Sequence, residues 1–385
     1  MFWKNRQVLF LFTGAFVIVV VAVLVIVLSF NSSKETTKFA DEDIIEVDNQ
    51  EDEQKDIKEE EEDSLEPGTY QNPVFEPVLA DPAVMKAEDG TYYAYGTEDA
   101  WERGQAAKVV PIVKSTDLVH WEYIGDAFTS KPRWISSNNF VWAPDVQFYN
   151  GKYHLYYTLA QWGDPNVGVG VAVSNSPEGP FEDVGKIFTA YEVGLGIIDP
   201  QLFIDDGVPY LVSGGLTDGL FIAKMKEDAL SLDGEFIQLT REGVEAPYLI
   251  KRDNYYYLFG SPGSCCDGAN SSYQVIVGRS ESIEGPYVDA NGKNLIDTFS
   301  SATILRGHIL PEDGKQFVGP GHISIIQDEA GDDWMFYHAI DIANPTLTSN
   351  ATRRPMMMDK MEWVDGWPTI KNRTPSVGVQ KAPNT

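Results

Sequence analysis

Two hydrophobic patterns divide the chain. From Val8 to Phe30, twenty-three residues pass without a charge, interrupted only by Thr13, Gly14 and Ser29. That exceeds the ~20 residues needed to cross ~30 Å of hydrocarbon. Lys4 and Arg6 precede the run and an acidic segment follows it, so the positive-inside rule places everything C-terminal to it outside the cell. A cleaved signal peptide fits less well: its apolar region would exceed the usual ~7–15 residues, and no convincing small-x-small site precedes Asn31. Residues 1–30 are therefore expected to be a signal anchor, a single transmembrane helix holding the remainder at the cell surface. Cleavage would make the protein secreted.

The second pattern begins near Tyr70. Five times a turn residue is followed by an aromatic-rich apolar run: after Gly90, Gly151, Gly207, Asn254 and Gly331. Apolar runs around such turn residues are a hairpin signature. Six to nine residues before each turn, one polar residue opens another short apolar strand: Asp81, Asp145, Asp199, Glu245 and His322. A third strand follows each hairpin, as in Val167-Gly-Val-Gly-Val-Ala-Val and Val275-Ile-Val-Gly-Arg. Further edges recur at Trp121–Gly125, Gly179–Gly185 and Gly285–Asp289. Four short strands per unit, repeated every 46 to 77 residues, predict an all-β, five-bladed β-propeller over residues 70–385. The first strand of a blade lines the propeller axis. The five opening residues are thus expected at one phase, converging on one cleft from some 240 residues of sequence.

Charge sharpens this division. The formal net charge is −29, and residues 41–66 hold fifteen acidic side chains against Lys55 and Lys58. Residues 31–69, highly charged and nearly free of aromatics, read as a disordered linker. Extended, such a stalk reaches on the order of 100 Å. The remaining chain is also acidic, which excludes nucleic acid as a partner and suits a neutral polymer. The only cysteines, Cys265 and Cys266, are adjacent. This rules out a disulfide framework or a cysteine-rich zinc site, and leaves a vicinal disulfide and two buried thiols both open.

Several carboxylates sharing one cleft repel one another, so at least one should be protonated at neutral pH. A protonated acid opposite an ionised base is the requirement of glycosidic hydrolysis. Trp101, Trp142 and Trp162 fall in loops or strand openings, where an aromatic face can stack on a sugar ring or pack in the core. Asp145 is expected to hydrogen-bond around the cleft.

The motifs Ala80-Asp-Pro-Ala-Val, Trp142-Ala-Pro-Asp-Val, Ile198-Asp-Pro-Gln-Leu-Phe, Val244-Glu-Ala-Pro-Tyr-Leu and Gly319-Pro-Gly-His-Ile-Ser occur in the order and phase of glycoside hydrolase family 43, which the chain resembles over residues 70–370. The resemblance implies inversion, with Asp81 as general base, Glu245 as general acid and Asp199 tuning and orienting the acid. It implies that His322 lies near a calcium ion held in the channel largely through water, and that Arg354 contacts the sugar; Trp101, Trp142 and Asp145 complete the expected binding set. Ser264-Cys-Cys-Asp-Gly and Ser272-Tyr-Gln-Val-Ile-Val-Gly-Arg resemble the fourth blade of the family's endo-acting arabinanases. The expected activity is endo-1,5-α-L-arabinanase, by a monomer acting on arabinan. The alternatives are an exo-acting β-xylosidase or α-L-arabinofuranosidase of the same family, or a carbohydrate-binding propeller without turnover.

Overall fold

The computed structural model describes residues 65–136, 138–299, 301–306 and 316–385. The Val8–Phe30 span and nearly all of the acidic linker lie outside them. Among the described residues, no helix is long and apolar enough to cross a membrane.

Five four-stranded antiparallel sheets follow one another along the chain, each built from consecutive strands. A short strand β1 (Thr69–Tyr70) precedes them. Blade 1 comprises β2 (Ala83–Lys86), β3 (Tyr92–Tyr95), β4 (Pro111–Ser115) and β5 (Glu122–Asp126). Blade 2 comprises β6 (Phe140–Tyr149), β7 (Lys152–Ala160), β8 (Gly168–Ser174) and β9 (Glu182–Thr189), followed by a one-turn helix α1 (Ala190–Val193). Blade 3 comprises β10 (Ile198–Asp205), β11 (Val208–Gly215), β12 (Gly219–Lys224) and β13 (Ile237–Gln238). Blade 4 comprises β14 (Val244–Arg252), β15 (Tyr255–Pro262), β16 (Gln274–Ser280) and β17 (Thr303–Arg306). Blade 5 comprises β18 (Phe317–Gln327), β19 (Asp333–Asp341), β20 (Met356–Val364) and β21 (Trp367–Ile370). A last strand, β22 (Gln380–Lys381), pairs with β1.

The five-bladed all-β architecture agrees with the sequence pattern. One edge was assigned differently: the outer strand of blade 4 is β17, not Gly285–Asp289. In that segment Val288 forms only isolated bridges to Arg279 and Asn294. The carboxylate of Asp289 accepts the N–H groups of Asn291 and Lys293, which curls the chain into a turn.

The aromatic runs do not alternate with polar residues because both faces of a blade are covered. Successive side chains of a strand point to opposite faces. In β3, Tyr92 and Ala94 pack against blade 5, while Tyr93 and Tyr95 pack against blade 2. In β15, Tyr256 and Leu258 face blade 3 and Tyr257 and Phe259 face blade 5. Each of the five interblade spaces thus has its own apolar core. The ring closes between blades 5 and 1. There Asn72 exchanges hydrogen bonds with Met358 (2.9 and 2.8 Å), and Leu79 N–H donates to the Arg354 carbonyl (3.1 Å), two residues before Asp81.

Candidate active site

Each inner strand enters the propeller through a residue with positive φ: Asp81 (55°), Ala143 (45°), Asp199 (54°), Ala246 (54°) and His322 (53°). Such values are uncommon for residues other than glycine and persist where the surroundings fix them. The inner ladders of blades 2 to 5 slip register at this point, as a bulge requires. The expectation of one shared phase is therefore corrected. Asp81, Asp199 and His322 occupy the bulge position itself, whereas Glu245 lies one residue before it and Asp145 two after.

A backbone N–H on a bulge loses its ladder partner and needs another. Here it comes from the preceding blade. Ala143 donates to Thr97 Oγ1 (2.7 Å), Asp199 to Thr158 Oγ1 (2.9 Å), His322 to Ser261 Oγ (3.0 Å) and Asp81 to His338 Nδ1 (3.3 Å). Blade 3 has Gly214 at the corresponding register position. The Asp199 carboxylate takes over, accepting Ala246 N–H at 3.1 Å. This bond carries Asp199 across to the blade that bears Glu245.

Asp81, Asp199, Glu245, His322, Arg354 and Trp142 line one cavity of about 450 Å³. Asp81 is almost fully enclosed. Its Oδ1 lies 3.0 Å from Arg354 Nη1, 3.2 Å from His322 Nδ1 and 3.3 Å from His338 Nδ1, and Thr97 donates to Oδ2 at 2.5 Å. Burial pushes its carboxyl up, but Arg354 and His322 together hold it well below the usual range. Glu245 moves the other way. Burial raises it, against a hydrogen bond from Tyr273 and the charge of His322. Asp199 is also driven well above its ordinary value, by burial first; His322 opposes this, and the nearby Glu245 and Asp81 carboxylates reinforce it. One cavity thus holds an ionised carboxylate and two carboxyls biased toward retaining a proton.

Tyr273 O–H donates to Glu245 Oε1 at 2.5 Å, leaving Oε2 to present a proton. The tyrosine was not anticipated as a site residue. It opens the third strand of blade 4, where no periodic signal distinguishes it from a core aromatic. Thr97, Glu98, Asp99 and the cysteine pair also line the cavity. Glu98 pairs with Lys131 at 2.7 Å, and burial raises the Asp99 carboxyl to about 6 against the pull of Arg354. Thr97 had a readable signal, since Thr158 and Ser261 recur at the same register position on second strands.

Trp142 stacks obliquely on the exposed Trp162, with ring centroids 5.0 Å apart, at the cavity wall. Arg354 lines the cavity, but its guanidinium is engaged by Asp81. Trp101 lies outside the cavity. It packs against Phe75 and Tyr123, with Lys108 over its ring, beside Val78, Ala80 and Leu347. Asp145 is buried outside it too, its Oδ2 accepting Leu202 N–H at 2.9 Å and its Oδ1 an N–H of Gln147. Gln201, Tyr248 and Ser324 make comparable bonds to the next blade from the same register position, so Asp145 belongs to an interblade clamp. Burial raises its carboxyl to about 7.

Cys265 and Cys266 form a vicinal disulfide, whose Cys266 carbonyl accepts from Thr352 Oγ1 at 2.8 Å. A calcium ion in direct contact with side chains does not fit this site. Calcium takes 6–8 oxygen ligands, whereas among the described residues no three His, Cys, Asp or Glu side chains converge for a metal. His322, the expected donor, already faces Asp81.

Residues 70–368 match the model of glycosyl hydrolases family 43. The extracellular endo-α-(1→5)-L-arabinanase 1 of Bacillus subtilis is 32% identical over 307 residues, covering 76% of this chain and 87% of that protein. The extracellular exo-α-(1→5)-L-arabinofuranosidase ArbA of Cellvibrio japonicus is 28% identical, over 80% of this chain and 90% of its own length. Among solved structures, Cellvibrio cellulosa α-L-arabinanase complexed with arabinohexaose superposes with a TM-score of 0.66 at 26% identity, covering 77% of this chain and 96% of that one. With five blades in register, acids gathered in one cleft and a family match across the whole propeller, the chain belongs to glycosyl hydrolases family 43 and is a glycoside hydrolase.

Proposed function

We propose that the protein cleaves internal α-1,5 linkages of arabinan by a single inverting displacement. Asp81, ionised, takes a proton from a water molecule as its oxygen attacks the anomeric carbon. Glu245, protonated, gives its proton to the departing glycosidic oxygen as the carbon–oxygen bond breaks. Asp199 acts through Glu245, orienting its strand by accepting the N–H of the adjacent Ala246 and tuning the acid. Arg354 and His322 keep Asp81 ionised, and Trp142 with Trp162 forms a sugar-facing wall. The observation carrying this reading is that one cavity brings together Asp81, bonded by Arg354 and beside His322, and Glu245, bonded by the neutral Tyr273 hydroxyl.

Internal cleavage is supported by the shape of the cleft. Beyond Glu245 and Ile198 the cavity continues into a second groove between blades 2 and 3, so the acid is not at a blind end. The exo reading draws on the Cellvibrio japonicus relative, and it would require one end of the cleft to be closed. A xyloside-specific enzyme or a binding propeller would leave linear arabinan uncut.

The test is proton NMR of newly released ends from linear arabinan. Inversion predicts that β-arabinofuranose ends appear first; α ends appearing first would exclude the mechanism. The protein is an extracellular monomer anchored by residues 1–30, which predicts recovery in the membrane fraction until detergent is added. A calcium ion held in the channel through water, near His322, would contribute stability and no step of the reaction.

A further inference from the structure

We infer that the groove beyond Glu245, between blades 2 and 3, holds the leaving-group portion of the polysaccharide, with Tyr191 as its stacking face. This rests on the activity proposed above and assigns a second part of the same cleft. The groove has a volume of about 600 Å³ and shares Ile198 and Glu245 with the catalytic cavity. A general acid protonates the leaving oxygen. The sugar whose anomeric carbon reacts therefore lies between Asp81 and Glu245, and the departing chain extends past Glu245 into this groove.

The walls suit a neutral sugar chain. Tyr191 is 71% exposed and Leu216 is 41% exposed, and both line the groove. Helix α1 holds Tyr191 in place. Ala190 N–H donates to the Val167 carbonyl (2.7 Å), the Glu192 carboxylate accepts from Thr189, and Gly194, at φ 72°, returns its N–H to the Ala190 carbonyl (2.8 Å). A fixed aromatic ring offers apolar area at small entropic cost. Part of the floor is bare backbone: a Cβ on Gly215 would come within 2.5 Å of the Gly196 carbonyl oxygen. Asp164 and Asp218 also border the groove, each fixed by a backbone N–H, of Asn166 (2.9 Å) and Gly196 (2.8 Å) respectively. Their carboxylates accept hydrogen bonds from sugar hydroxyls and repel uronate units, which selects an uncharged polymer.

The test compares the full-length protein with Tyr191→Ala, Tyr191→Phe and Leu216→Ala on linear arabinan and on end-labelled arabinohexaose. Tyr191→Ala should lower kcat/KM on arabinan by about ten-fold, the loss of one stacking contact, and shift the bond cut in the hexaose. Tyr191→Phe should stay within about two-fold of the parent, because it keeps the ring. Leu216→Ala, from the opposite wall, should shift the cut in the same sense, and it serves as the reading if Tyr191→Ala loses thermal stability. Rate and cleavage position unchanged in both alanine variants would overturn the assignment while leaving the arabinanase reading intact. A parent protein that leaves arabinan uncut would remove both.

Discussion

Asp81 and Glu245 are both buried, and burial alone would raise both. The difference lies in their neighbours: Asp81 has the Arg354 guanidinium and the His322 imidazole at hydrogen-bond distance, and Glu245 has a neutral phenol. Activity needs Asp81 ionised and Glu245 protonated, so it should fall as pH drops through the lowered Asp81 value and as pH rises through the raised Glu245 value. Arg354→Ala removes a cation that holds Asp81 down. The acid limb of the kcat/KM profile should therefore move up by ~1–3 pH units, and the alkaline limb should move up less, since Arg354 also lowers Glu245 but behind Tyr273 and His322; an unmoved acid limb would exclude Arg354 as the group that sets the base. Glu245→Ala should reduce turnover on arabinan by ~10²–10⁴-fold with an unchanged melting temperature, and near-normal activity would remove it as the acid. Asp81, Asp199, Glu245 and His322 were legible because each stands in a short motif on its own strand. The partnership of Asp81 with Arg354, 273 residues later, was not, because only ring closure brings the two together.

At the scale of the strand, the bulge ties catalysis to the fold. Every inner strand turns through the same strained position, and the exposed N–H must be met by the neighbouring blade. Thr158→Val keeps the shape but leaves the Asp199 N–H unpaired, at a cost of about 1–3 kcal/mol. Urea unfolding should show this as a lower midpoint with an unchanged slope, and an unshifted midpoint would argue against the cap. Gly321 offers a different lever: a Cβ there would lie 2.2 Å from the Tyr273 ring. Gly321→Ala should displace Tyr273 from Glu245 and lower kcat more than it raises KM; wild-type kcat would show that the phenol is dispensable. Hairpins and third strands were readable because turn residues and apolar runs are local. The bulge register was not, since a one-residue slip leaves composition unchanged while redirecting each side chain. That is why Asp145, in a motif resembling the others, belongs to a clamp between blades. Trp101, in the loop between β3 and β4, packs instead against Phe75 and Tyr123.

Across the molecule, five separate interblade cores replace one central core and leave the axis free for polar groups. Residues placed one per blade can then meet at the channel mouth, each fixed by the packing behind it. A channel calcium held through water would add to this stability by binding only the folded state. A chelator should then lower the melting temperature, and an unchanged value would remove the ion from the proposal. Four short strands per unit, repeated five times, were enough to predict the five-bladed propeller, and the five four-stranded sheets agree. The second groove went unseen in the sequence: Tyr191 and Leu216 come from different blades and share no motif. The most direct measurement is the product profile over time from linear arabinan. A cleft open on both sides of Glu245 predicts an early ladder of short arabino-oligosaccharides that later shortens. Arabinose alone from the first time point would contradict internal cleavage.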